Sequence, residues 1–134
     1  MRRIIGLGLL LAASSPMRFP LQQPAEVLQS PYEDSFEQWM NQLAETESGN
    51  DPTLRILDTN RKYSYGCLQF QLSTFRQYSR EFSLFEDSRA VNLREEIYNC
   101  ENQRKLAALM IREDYGNWRH WRNSVKKIGM PPRL

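Results

Sequence analysis

The feature that most constrains this chain is the spacing of its apolar residues just after position 34. Phe36, Trp39, Met40, Leu43 and Ala44 recur at i, i+3, i+4, i+7 and i+8, which places them along one side of an α-helix. Asp34, with Glu37 three residues later, supplies a start signal, and Gly49 followed by Pro52 supplies a stop. A single apolar stripe must be covered by other elements, so the chain has to fold around this helix. With 134 residues, 40% of them hydrophobic and 25% charged, there is material for one small domain and no more.

The same geometry singles out a carboxylate. Glu47 follows Phe36 by eleven positions, and steps of about 100° bring it within about 20° of the apolar stripe. Glu45 falls on the opposite side, toward solvent. A carboxyl on the buried side loses hydration of its charged form, and the negative end of the helix dipole pushes the same way, so its pKa is expected to rise. Such a group suits general acid chemistry. The alternative is a glutamate at a frayed helix end, solvated or paired with an arginine.

Helical readings continue downstream. Residues 50–65 carry turn formers and charges without a sustained period and read as a long loop, with a short strand at Leu54 to Leu57. Ser73 is expected to cap a second helix bearing Phe75, Tyr78 and Phe82. A third, with Ala90, Leu93, Arg94 and Ile97, follows Asp87 and Ser88. A fourth begins after Asn99, with Gln103, Leu106, Ala107 and Met110 on one face, widened by Leu109 and Ile111, and Gly116 as its end. A last amphipathic turn or two carries Trp118, Trp121, Val125 and Ile128. Tyr115, Trp118, His120 and Trp121 either pack as core or offer ring faces for stacking, with His120 exposed. Arg119, Arg122, Lys126 and Lys127 read as a solvated face.

Met1-Arg2-Arg3 precedes a ten-residue apolar run, Ile4 to Ala13, and small residues at positions 12–15. A charged start, a short apolar segment and a small-residue cleavage region form a secretion signal, too short to remain as a membrane span. The expected organisation is a signal at 1–15, an extended Pro- and Gln-bearing lead-in at 16–33, a domain at 34–130 and a tail at 131–134. Export makes a bond between Cys67 and Cys100 the expected state, with two buried free thiols the alternative. Two cysteines and the lone His120 are too few for a structural zinc site, and no cofactor is expected. The balance of 18 Lys+Arg against 16 Asp+Glu argues against a nucleic-acid partner, and loss of Arg2 and Arg3 with the signal leaves the charges even.

Three short segments then combine: Glu47-Ser48-Gly49-Asn50-Asp51-Pro52, Ser64-Tyr65-Gly66-Cys67-Leu68-Gln69-Phe70, and Ser73-Thr74-Phe75. In order and spacing they resemble the lysozyme-like soluble lytic transglycosylase family, which has a Glu-Ser pair ending a helix, a loop proline and a Gly-x-x-Gln turn before another helix. The resemblance spans roughly residues 36–82 and departs from the family at Asp51, at Cys67 and Leu68, and in lacking a clear Ala-Tyr-Asn-Gly segment. It implies a mainly α, small single-domain lysozyme-like fold with a long active-site loop and little or no sheet.

The implied activity is cleavage of the β-1,4 link between N-acetylmuramic acid and N-acetylglucosamine, with peptidoglycan glycan strands as partner. Glu47 is then the acid/base. Ser48, Tyr65, Gln69 and Tyr115 are assigned to substrate binding, Ser48 by hydrogen-bonding Glu47, Gln69 near the scissile bond, and Tyr115 as the weakest match, to the tyrosine that supports the family's glutamate. Gln69 has a second reading, as an amide that holds its loop onto the helix. Gly66 is expected to allow close backbone approach or a positive φ. The resemblance also gives a Cys67–Cys100 bond a role, tying the active-site loop to the core. The implied location is exported, in the periplasm, the cell envelope or outside the cell, without a stable membrane anchor after signal removal; no oligomeric state is specified. Two other functions compete: a hydrolysing lysozyme in which Asp51 or Asp58 positions a water, and a non-catalytic glycan-binding module.

Overall fold

Helix α1 (Pro31–Ser48) starts where the Ser30 hydroxyl accepts the Glu33 N–H at 3.2 Å. The computed structural model describes residues 30–85 and 92–133. The stretch expected as a secretion signal, most of the expected lead-in, Asp87, Ser88, Ala90 and Leu134 lie outside the described residues. The helix begins three residues before the expected Asp34, and the reason is local. Pro31 has its φ already set for a first helical position, where no N–H is needed, so a proline read as part of an extended lead-in instead opens the helix. The expected end holds: Gly49 is left-handed at φ 66°, and its N–H reaches Glu45 O at 2.8 Å. Phe36, Trp39, Met40, Leu43 and Ala44 are all buried.

The stretch expected as a loop carries two short strands of a small sheet. Strands β1 (Arg55–Leu57), β2 (Tyr63–Tyr65) and β3 (Phe70–Gln71) pair antiparallel in that order, with Ile56 opposite Ser64 and Ser64 opposite Gln71. The β1–β2 connection closes through Asp58 N–H to Lys62 O and Arg61 N–H to Asp58 O, both 2.9 Å. Strands of two or three residues are too short to show an alternating pattern, which is why the sheet was not anticipated beyond a strand near Leu54 to Leu57.

Helix α2 (Leu72–Glu81) starts one residue ahead of Ser73, with no side-chain cap, and buries Phe75. Helix α3 is the short Leu93–Glu96, capped by Asn92, and delivers Ile97 to the core. Helix α4 (Cys100–Glu113) is capped by Asn99 and buries Gln103, Leu106, Ala107, Met110 and Ile111. It ends at Asp114 rather than Gly116, because Asp114 Oδ1 accepts the Gly116 N–H at 2.9 Å and starts a 3₁₀-helix, Tyr115–Trp121. Helix α5 (Arg122–Ile128) continues from it and packs on α1. No described helix is long and apolar enough to cross a membrane.

The turn between β2 and β3 is where these elements meet. Cys67 and Cys100 form a disulfide with Cα atoms 5.5 Å apart. Beside it, the fully buried Gln103 carboxamide accepts the Leu68 N–H at 2.7 Å and donates to the carbonyls of Tyr65 and Ile97. Gly66 has φ 75°, and a Cβ there would lie 2.6 Å from Gln103 Nε2, so both expected reasons for a glycine apply. Trp121 Nε1 donates to Leu68 O at 2.9 Å, and Trp39 Nε1 to Gly129 O at 3.0 Å.

Gln103→Leu removes the side-chain partner of the buried Leu68 N–H and Ile97 O and of the partly buried Tyr65 O, and is expected to lower the unfolding free energy by about 3 kcal/mol, read from the urea midpoint. The disulfide joins residues 33 apart, and its reduction should cost about 3–4 kcal/mol in the same assay.

Candidate active site

Glu47 occupies the last turn of α1, partly buried, as the helical spacing requires, while Glu45 is exposed. Its Oε1 accepts a hydrogen bond from Ser124 Oγ, on α5, at 2.7 Å. Its Oε2 has no hydrogen-bond partner among the described residues. Ser79 Oγ is the only buried unpartnered side-chain polar atom among them, so Oε2 is not sealed from solvent. Burial raises the pKa of Glu47 above its ordinary value of 4.5, the Ser124 hydrogen bond opposes this, the Asp58 charge reinforces it and Lys127 opposes it; the net direction is upward. The C-terminal end of the α1 dipole adds to the same direction.

Asp58, whose charge acts on this carboxyl, lines a cleft of about 260 Å³; Glu47 itself is not one of its wall residues. Asp58, Ser64, Gln69 and Gln71 form one part of its wall, and Phe70, Thr74, His120 and Trp121 form the rest. The lining is chiefly polar. Asp58 is held by two donors on Oδ2, the Ser64 hydroxyl and Gln71 Nε2 at 2.9 Å. The sheet register explains this, because Ser64 and Gln71 are directly opposite one another and share a face. Asp51, the other loop carboxylate considered, instead accepts the Thr53 N–H and hydroxyl at 2.8 Å each, which lowers its pKa and closes a local turn.

The expected binding residues divide. Gln69 reaches the cleft in a left-handed conformation, φ 54°, but its Nε2 donates to Gly66 O at 2.8 Å and Leu54 O at 3.3 Å, so the amide holds its own loop. Ser48 does not hydrogen-bond Glu47. Its hydroxyl bonds the Cys67 carbonyl at 2.8 Å and accepts the Asp51 N–H at 3.1 Å, fastening the helix end to the β2–β3 turn. Tyr65 packs edge-on against Tyr98 with ring centres 5.5 Å apart, away from the cleft lining. Tyr115 donates to Pro131 O at 2.6 Å, with Arg133 over its ring, so the hydroxyl supporting Glu47 comes from Ser124 rather than from Tyr115.

Of the aromatic cluster, Trp121 is core, and His120 is exposed, edge-on to Tyr78 and Trp121. Desolvation lowers the His120 pKa, favouring the neutral ring at neutral pH. In the basic run, Lys127 does more than face solvent, since it acts on Glu47. Reading along the chain missed Ser124 and the Ser64–Gln71 cradle of Asp58. The available signal for Ser124 was its place three residues after Trp121 and beside Val125, a polar residue on a buried stripe. No family model, curated protein or solved structure matches the chain.

A folded-state pKa raised above 4.5 means that folding favours the protonated acid. That contribution is complete below about pH 4.5 and is lost as pH rises through the folded-state value. Glu47→Gln removes the loss while keeping an oxygen for Ser124. The urea midpoint of this variant should exceed wild type at pH 8, and the difference should close as the pH approaches 4.

Proposed function

We propose that this chain cleaves peptidoglycan glycan strands as a lytic transglycosylase, with Glu47 as the single acid and base. The observation that carries the reading is the environment of Glu47: partly buried at a helix end, one oxygen held by Ser124, the other without a partner among the described residues, and under the charge of Asp58, which lines a polar cleft. Protonated Glu47 gives its proton to the glycosidic oxygen as the bond from that oxygen to the muramic C1 breaks. The 6-hydroxyl oxygen of the same muramic residue then bonds to C1, and its proton returns to the Glu47 carboxylate, leaving a 1,6-anhydro end. One carboxyl therefore completes the cycle, with no proton left over. The resemblance of the Glu47-Ser48 and Gly66-to-Gln69 segments supports this chemistry, and the Cys67–Cys100 disulfide supports an exported protein.

A second reading has its own observation. Asp58, cradled by Ser64 and Gln71 on the cleft wall and acting on Glu47 through its charge, supports the reading of a hydrolysing lysozyme in which it activates a water. Asp51, committed to its turn with Thr53, has no such placement.

Glu47→Gln should reduce clearing of a peptidoglycan gel by about 10²-fold or more, with Glu45→Gln near wild type. Equal clearing by both variants and wild type rejects the acid assignment, and wall binding without turnover by the wild-type protein indicates a glycan-binding module. Products resistant to borohydride reduction mark the transglycosylase, and reducing ends mark the hydrolase.

A further inference from the structure

We infer that Ser124 is a positioning residue for Glu47, its hydroxyl holding Oε1 so that Oε2 is the oxygen that carries the proton and faces the substrate. The inference rests on the acid role proposed for Glu47.

Ser124 is 5% exposed, and its hydroxyl makes a single hydrogen bond among the described residues, to Glu47 at 2.7 Å. Helical serines commonly return their proton to a carbonyl of the preceding turn; this one sends it to another helix, 77 positions away in sequence. Its location is fixed by the core. Trp121, one turn earlier, is anchored on Leu68 O, and Val125 beside it is buried. A hydroxyl that donates to Oε1 leaves that oxygen as an acceptor, so the proton of the neutral acid resides on Oε2. Without this contact the terminal torsion of a glutamate is broad and roughly two-fold, and either oxygen can turn outward.

The groups acting on the carboxyl from its surroundings are Lys127, also on α5, and Asp58, on the β1–β2 connection. They are charged and act at a distance with opposite signs. Among the described residues Ser124 alone supplies a directed hydrogen bond, which a change of nearby charge cannot replace.

Two sets of variants test this. Ser124→Ala removes the hydroxyl. Ser124→Thr and Ser124→Val form a nearly isosteric pair that differs chiefly by that hydroxyl, so any cost of enlarging the buried site is common to both. The readouts are the Glu47 carboxyl titration by ¹³C NMR and the pH dependence of peptidoglycan cleavage. Losing a hydrogen bond to the charged form should move the Glu47 titration up by about one pH unit in the Ala and Val variants and leave it near wild type in Thr. The basic limb of kcat/KM should move with it. In Ala and Val, kcat should fall about tenfold with KM little changed, since Ser124 does not reach the substrate, and Thr should restore kcat. Equal Glu47 titrations in the Thr and Val variants overturn the inference. Full clearing by Glu47→Gln overturns the acid reading instead, and the NMR titration separates the two because it does not depend on activity.

Discussion

The β2–β3 turn is held because its backbone polar groups are answered by side chains from elsewhere in the fold. Gln103, wholly buried on α4, binds Tyr65 O and Leu68 N–H; Ser48, at the end of α1, binds Cys67 O; Trp121, at the end of the 3₁₀-helix that leads into α5, binds Leu68 O. A turn drawn into the interior exposes donors and acceptors that water no longer reaches, and each must be paired or the fold loses about 1–3 kcal/mol. Here the partners come from three helices, so satisfying the turn also fixes those helices relative to one another. The Cys67–Cys100 disulfide adds a covalent tie at the same place.

This arrangement makes the carboxyl at the end of α1 chemically distinct. Ser48 ties the last turn of α1 to the β2–β3 turn, Trp121 ties α5 to it, and Glu47 and Ser124 then meet across the α1–α5 contact. The competing influences on Glu47 have different physical origins. Burial acts on any charge placed there and is the largest; the serine hydrogen bond partly offsets it; the charges of Asp58 and Lys127 are smaller and oppose one another. The outcome is a carboxyl that favours its protonated form more than an ordinary glutamate does, while one oxygen stays open to solvent.

Much of this was legible in the chain because helix periodicity is a strong signal. The stripe from Phe36 to Ala44, the inward position of Glu47, the outward position of Glu45, the Asn99 cap and the buried Gln103 all follow from spacing and capping chemistry. What escaped was non-local or too short. The strands have two or three residues, and Pro31 looked like part of a proline-bearing lead-in although its φ suits a first helical turn. The roles of Ser48, Gln69 and Tyr115 could be named only by likeness, and each spends hydrogen bonds on backbone carbonyls set by tertiary packing. Ser124 and Glu47 are 77 positions apart, and no local pattern joins them.

The central claim is that the Glu47 proton is the one transferred in the reaction. The most direct measurement sets the ¹³C titration of the Glu47 carboxyl beside the basic limb of the kcat/KM profile for peptidoglycan cleavage, on the same protein at the same ionic strength. The account predicts that both report a single pKa, displaced above the ordinary 4.5 of a glutamate. A Glu47 that titrates at its ordinary value, or a limb that follows a different group, contradicts it.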